Sequence, residues 1–205
     1  MSADAPENWF EDIYAGTDRS GRGVPWAKLV PAPLLVTWLD RHRPVPAGES
    51  ALVVGCGLGD DAAELARRGF RVTAFDVAES AIRLCRERFP GLAVDWRVSE
   101  LFAVPPQWRR AFALVVEHRT VQSLPPAWQD PGMAAIADFV APGGTLLVIA
   151  DLRPEGAPQE GPPWRLRPEE LDGFVTAGLR QDTCERSQVR HEPQRQRLVA
   201  TYRRD

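Results

Sequence analysis

An α/β fold with a doubly wound, mainly parallel sheet is predicted by three observations. Short apolar runs alternate with helical periodicity from residue 51 to residue 177, the first run ends in a glycine-rich corner, and the C-terminal stretch reads as two extended runs. A first helix is expected over 33–41, where Leu34, Leu35, Trp38 and Leu39 share one stripe. Parallel strands are expected over 51–55, 71–76, 92–98, 112–116 and 145–150, with helices over 61–68, 78–88, 132–140 and 168–177. The runs 179–190 and 195–203 flank Glu192-Pro193-Gln194 and read as a terminal antiparallel hairpin, which brings the sheet to seven strands. Residues 1–24 are polar and Gly-rich, punctuated by Trp9, Phe10 and Tyr14, so their order is expected to come from contact with the domain or a ligand.

The chain has 205 residues, enough for one α/β domain, and its 44% hydrophobic content is ordinary for a globular protein. A net charge of -3 gives no overall attraction to nucleic acid or anionic membrane, and no apolar run approaches bilayer-spanning length. A small-molecule partner is expected, with no nucleic acid or membrane, and a monomer or homodimer. Lys28 is the only lysine among 25 basic residues, and with 19 prolines this reads as coding bias rather than a phosphate-binding surface. Cys56, Cys85 and Cys184 lack ligand spacing, so neither a disulfide framework nor a metal site is expected, and the N-terminal residues do not form a secretory leader. A reducing cytoplasm fits this pattern.

The segment Ala51-Leu-Val-Val-Gly-Cys-Gly-Leu-Gly-Asp60 carries the most information. Gly55, Gly57 and Gly59 permit positive φ and remove side chains that would hold a nucleotide-like ligand away from the backbone, and the following helix offers free N–H groups. The same corner could be purely structural. Asp76 ends the second strand beside this loop, where a carboxylate accepts both hydroxyls of a ribose or instead caps the helix that begins near Ala78. A dinucleotide fingerprint places a third glycine where this chain has Asp60, followed by Asp61. Two acids at a helix start would repel a pyrophosphate, whereas an adenosyl ligand with a sulfonium and an amino group suits the loop.

On these residues the chain resembles the class I S-adenosylmethionine-dependent methyltransferases across roughly residues 51–150, which implies a Rossmann-like methyltransferase fold and S-adenosylmethionine as cofactor. By that resemblance Gly55, Cys56, Gly57 and Gly59 lie along the methionine part of the cofactor, Asp76 and Val77 at the ribose, and Glu100 and Leu101 near the adenine. Phe112-Ala-Leu-Val-Val-Glu117 matches the fourth strand, whose end faces the transferable methyl, so Glu117 also borders the cofactor. Pro142-Gly-Gly-Thr-Leu-Leu-Val-Ile149 matches the turn and the fifth strand. Many members have an acid where this chain has Val53. Val53-Val-Gly-Cys-Gly57 is similar to the thiopurine methyltransferase-like branch, as are Trp9, Tyr14, Gly16 and Pro25-Trp26, which by that resemblance form an N-terminal lid over residues 1–30.

Methyl transfer is an in-line displacement, so the protein must position the nucleophile and exclude water, and needs a base only when the nucleophile arrives protonated. His118 leaves the fourth strand at the reaction end and is the candidate base, with Glu117 orienting it or contacting the substrate; a structural role for His118 stands beside this. His42 and His191 fall away from this edge. Trp9, Trp26, Trp128 and Trp164 come from segments expected around the cofactor, as aromatic walls or as ordinary packing. Asp151 and Arg153 leave the fifth strand and are candidates for a polar substrate group. Residues 151–167, rich in Pro and Gly, read as a substrate-covering loop or as a surface insertion. Cys56 is expected to pack rather than react.

The expected function is methyl transfer from S-adenosylmethionine to a small molecule by a single domain over 1–205, with a thiol or other soft nucleophile preferred through the branch resemblance. Alternatives are an O- or N-methyltransferase of a small metabolite and a catalytically silent S-adenosylmethionine-binding module. A nicotinamide-dependent reductase is disfavoured by Asp60 and by the lack of a Tyr-x-x-x-Lys pair.

Overall fold

The structure is a computed structural model that describes residues 6–18, 20–42, 48–189 and 192–205. His191 lies outside them, as do parts of the expected lid. The chain packs as two compact units, Met1–Val104 and Pro105–Asp205.

In the first unit, α1 (Pro6–Ala15) and α2 (Pro33–His42) precede β1 (Ser50–Val54), α3 (Asp60–Arg67), β2 (Arg71–Asp76), α4 (Glu79–Arg88) and β3 (Val94–Val98). The strands run parallel in the order β3-β2-β1, with Val54 opposite Phe75 and Asp76 opposite Val98. α1 was not expected. Its signal was the helical spacing of Phe10, Ile13 and Tyr14, which pack against a buried cluster that includes Leu58, Ala81 and Leu84. The Glu11 carboxylate accepts the Ser80 N–H at 3.1 Å and fastens α1 to the first turn of α4.

In the second unit, β4 (Phe112–His118), α5 (Pro126–Ala137) and β5 (Val140–Asp151) are followed by α6 (Gly173–Thr176), β6 (Arg180–Val189) and β7 (Glu192–Arg203). The order is β4-β5-β7-β6, with β4 parallel to β5 and β7 antiparallel to both its neighbours. The terminal hairpin is therefore present. The helix expected from Gly132 begins instead at Pro126, because proline in the first helical turn forfeits only an N–H that has no intrahelical partner. Pro142-Gly143-Gly144 does not precede the fifth strand as a turn. It lies within β5, and the pairing shifts between Phe112 and Leu114 to absorb it as an irregularity. Of the helix expected over 168–177, Pro168–Asp172 forms a 3-10 turn and only Gly173–Thr176 is α-helical. Among the described residues, no helix is long and apolar enough to cross a membrane.

Candidate active site

In the first unit the corner between β1 and α3 is shaped by its glycines, with φ of 56° at Gly55, 53° at Gly57 and 81° at Gly59. Gly59 is there for packing, because a Cβ would stand 2.7 Å from the Trp96 ring and 2.8 Å from Cys85 Sγ. The Asp76 side chain joins two backbone segments. Its Oδ2 accepts the Gly57 N–H at 2.8 Å and its Oδ1 accepts the Ala78 N–H at 3.0 Å, so one carboxylate fixes the loop and the entry to α4. Burial raises the Asp76 pKa from its ordinary value, opposed by the N–H groups of Ala78, Gly57 and Val77.

Tyr14, read in the sequence only as part of the lid segment, packs against the glycine loop. It is 3% exposed, its hydroxyl accepts the Trp26 Nε1–H at 3.0 Å, and a Cβ at Gly57 would approach that hydroxyl to 3.0 Å. Burial pushes the phenol well above its usual pKa, so it remains a protonated donor. Trp9 stacks at a tilt on Trp26, with ring centroids 5.5 Å apart, and is 42% exposed. The two predicted tryptophans are thus brought together, with Trp26 also against Tyr14.

The Ser99 N–H donates to the Asp76 carbonyl at 3.0 Å, which brings the segment after β3 beside the acid. Glu100 is exposed there and Leu101 half-buried, while Val98 and Phe102 are each 49% exposed. Val77 is half-buried next to Asp76. The expected repulsive role of Asp60 is corrected by its partner: Arg88 holds both oxygens, at 2.7 and 2.9 Å, and also donates to the Leu58 carbonyl. A charge neutralised internally does not discriminate against a pyrophosphate. Asp61 likewise accepts the Ala32 N–H at 2.7 Å. The Cys56 thiol is pushed well up by burial and then by Cys85, which suits packing and not nucleophilic attack.

In the second unit β4 delivers Glu117 and His118 at its C-terminal end. Glu117 is 1% exposed, and its Oε1 accepts the N–H groups of Thr120 at 2.5 Å and Val121 at 3.0 Å. Its Oε2 is buried with no hydrogen-bond partner among the described residues. Burial raises this carboxyl to about 7, against the pull of the Val121 and Thr120 N–H groups and Arg119. His118 is half-buried, with its backbone opposite Ile149. His42 stacks on Trp38 at 4.7 Å.

Asp151 and Arg153, expected to meet substrate, are engaged within the protein. Asp151 is fully buried; its Oδ1 accepts Arg197 Nε–H at 2.8 Å, and Arg119 Nη1 lies 4.0 Å from Oδ2. Arg153 pairs with Glu170 under the loop. The 151–167 segment is tied down at several points, for the Arg153 N–H donates to Leu166 O at 2.8 Å and the Trp164 N–H to Gln122 O at 2.7 Å. Trp164 is half-buried and Trp128 is 53% exposed. Among the described residues, no group of three His, Cys, Asp or Glu is placed to hold a metal ion.

Residues 51–144 match the family model described as a methyltransferase domain. The ubiquinone biosynthesis O-methyltransferase of Stutzerimonas stutzeri is 31% identical over 118 residues, covering 56% of this chain and 49% of the relative. The chain thus spans about half the length of such curated relatives. Among solved structures, the 1,6-didemethyltoxoflavin-N1-methyltransferase of Burkholderia thailandensis, described with bound S-adenosylhomocysteine, superposes with a TM-score of 0.72 at 19% identity, over 100% of this chain and 92% of that one. A structure described for the conversion of a disulfide bond into a thioacetal group during echinomycin biosynthesis reaches a TM-score of 0.78 at 20% identity, over 98% of this chain and 94% of that one. With the seven strands in this arrangement, the chain has the Rossmann-like methyltransferase fold, and its residues 51–144 are similar to the methyltransferase-domain family.

Proposed function

We propose that the protein transfers the methyl group of S-adenosylmethionine to a hydroxyl of a small-molecule acceptor, as one domain over residues 1–205. The observation that carries the methyl-transfer reading is the Asp76 carboxylate bound to the Gly57 N–H within the segment that matches the methyltransferase family. The residues present fit the cofactor. A Cβ at Gly57 would intrude on the Tyr14 hydroxyl, the Asp76 carboxylate has accepting capacity beyond its three N–H partners for a ribose hydroxyl, and Val98 and Phe102 offer an apolar face to the adenine. When bound, the cofactor supplies an electrophilic methyl on a sulfonium.

The chain's own part is positioning and proton handling. Asp76 holds the glycine loop, Tyr14 and Trp26 close over it, and the neighbouring Trp9 adds an aromatic face that favours a cation. Glu117 is the proposed base. Its Oε2 is buried and unpartnered, and a carboxyl near pH 7 is poised to take a hydroxyl proton at neutrality. His118 adjoins it and is proposed to line the acceptor side. Asp151 and Arg153 are proposed to support that side from beneath rather than to touch the acceptor, given their internal partners. Glu100 and Leu101 are proposed to edge the adenine.

A sulfur acceptor is the second reading, supported by the similarity of Val53-Val-Gly-Cys-Gly57 to the thiopurine methyltransferase-like branch and by the sulfur chemistry named for the echinomycin protein. Isothermal calorimetry with S-adenosylhomocysteine and with NADH, followed by radiolabelled methyl transfer to matched phenol and thiophenol acceptors, tests both. Binding of NADH in preference to S-adenosylhomocysteine would overturn the methyltransferase reading, and transfer to thiophenol alone would overturn the hydroxyl acceptor.

A further inference from the structure

Gln122 was not singled out by any sequence motif, yet it is fully buried at a junction of three segments. Its side-chain Oε1 accepts the Asp151 N–H at the end of β5 at 2.8 Å, and its backbone carbonyl accepts the Trp164 N–H at 2.7 Å from the 151–167 loop. The Asp151 N–H is a donor and can bond only the amide oxygen, which fixes the orientation of the Gln122 amide. The Nε2 group must therefore occupy the other position. There it is buried with no hydrogen-bond partner among the described residues.

A buried amide nitrogen left unpaired costs the desolvation of two N–H donors, and a fold tolerates such a group mostly where something else satisfies it. Glu117 Oε2 is a second buried polar atom without a partner, and Glu117 Oε1 takes the N–H of Val121, the residue just before Gln122. One short turn, Val121–Ser123, thus holds both groups in place. They are chemically opposite. The carboxylate accepts, and the amide donates.

We propose that Gln122 Nε2 and Glu117 Oε2 form the polar recognition pair for the methyl acceptor, and that the acceptor is a small molecule bearing both a hydroxyl donor and an oxygen that accepts. This rests on the methyltransferase reading above and adds a specificity-determining residue to it. The acceptor hydroxyl gives its hydrogen bond to Glu117, while Gln122 donates to the second oxygen. As the new O–CH3 bond forms and the S–CH3 bond of the cofactor breaks, the hydroxyl proton passes to Glu117 Oε2 and S-adenosylhomocysteine leaves neutral at sulfur. An acceptor without the second oxygen leaves the Gln122 amide unpaired in the complex, which is the basis of discrimination.

The test uses the full chain loaded with S-adenosylhomocysteine at pH 8, titrated calorimetrically with 1,2- and 1,3-dihydroxybenzene and with 1,2-dichlorobenzene as a shape control. Gln122→Glu keeps an oxygen for the Asp151 N–H and removes the donor; Gln122→Met removes both. The expected result is that at least one dihydroxybenzene binds the wild type at least about tenfold more tightly than the dichloro compound, and that Gln122→Glu erases this preference while S-adenosylhomocysteine affinity is unchanged. Equal binding of all three probes to the wild type, or an undiminished preference in a folded Gln122→Glu protein, would overturn the pair. If Gln122→Glu fails to fold, Gln122→Met carries the same comparison, and Glu117→Gln, which removes the accepting oxygen, must erase the preference independently. Failure of the wild type to bind S-adenosylhomocysteine at all is a separate result that removes the methyltransferase reading itself.

Discussion

The Asp76 carboxylate and the Gly57 N–H meet at 2.8 Å, which joins the end of the second strand to the middle of the glycine loop. Residues nineteen positions apart in sequence are thereby made one structural unit. A left-handed glycine turn with its N–H held by a buried acid is fixed before any ligand arrives, so binding need not order the loop.

Asp76→Ala should therefore do two things at once. It removes the proposed charged partner for the ribose and releases Gly57, and S-adenosylhomocysteine affinity is expected to fall by about 1–3 kcal/mol or more. Asp76→Asn keeps an acceptor for one N–H and should fall less. Calorimetry ranks the two, and equal affinity for wild type and Asp76→Ala would take Asp76 out of the site.

Gly59 and Gly91 share nearly the same backbone, at φ of 81° and 83°, but differ in space. A Cβ at Gly59 collides with Trp96 and Cys85, whereas at Gly91 nothing lies within 4 Å. Gly91→Ala should cost only the left-handed strain, about 1–2 kcal/mol, and Gly59→Ala should add overpacking for a total of about 2–5 kcal/mol. Urea unfolding of the two variants reads the difference directly. Equal losses would mean that Trp96 moves aside freely.

Glu117 gives a signed pH prediction. Its folded pKa, near 7, is raised above the ordinary 4.5 by burial, so the folded state holds the proton more tightly than the unfolded one. Its contribution to stability is greatest below about pH 4.5, declines as pH rises to about 7 and is flat beyond, a change of about 3 kcal/mol. Activity is expected to run the other way, since the ionised form is the proposed base. Glu117→Gln is expected to be more stable than wild type at pH 8, to lose the ascending limb of kcat/KM near pH 7, and to slow a hydroxyl acceptor about 10²-fold. His118→Ala should retain that limb. If the limb vanishes with His118 and survives Glu117→Gln, the base assignment is reversed.

The N-terminal segment has a buried part and an exposed part. Tyr14 is buried within the first-unit core, whereas Trp9 is 42% exposed. Tyr14→Ala should destabilise by about 3 kcal/mol or more, and Trp9→Ala should stay within about 0.5 kcal/mol while raising the acceptor KM. Thermal unfolding and steady-state kinetics distinguish the two residues. A Trp9→Ala enzyme with unchanged KM would reduce α1 to a structural helix.

The sequence by itself determined the strands, the glycine corner, the acid that ends β2 and the terminal hairpin, because each is written in local periodicity and turn chemistry. The register of Asp76 beside the loop was legible for the same reason: a strand, a short helix and a second strand leave little freedom in where the second strand ends. The tertiary structure alone decided the partners of the charges. Asp60 looked like a guard against pyrophosphate until Arg88, twenty-eight residues away, took both its oxygens. Asp151 and Arg153 looked available for substrate until Arg197 and Glu170 were found against them. Gln122 carried no motif, since its role depends on which of its amide atoms an Asp151 N–H occupies. Local pattern fixes backbone conformation because that is set by neighbours in sequence, whereas burial and pairing of a polar side chain depend on groups far along the chain, and only packing brings those together.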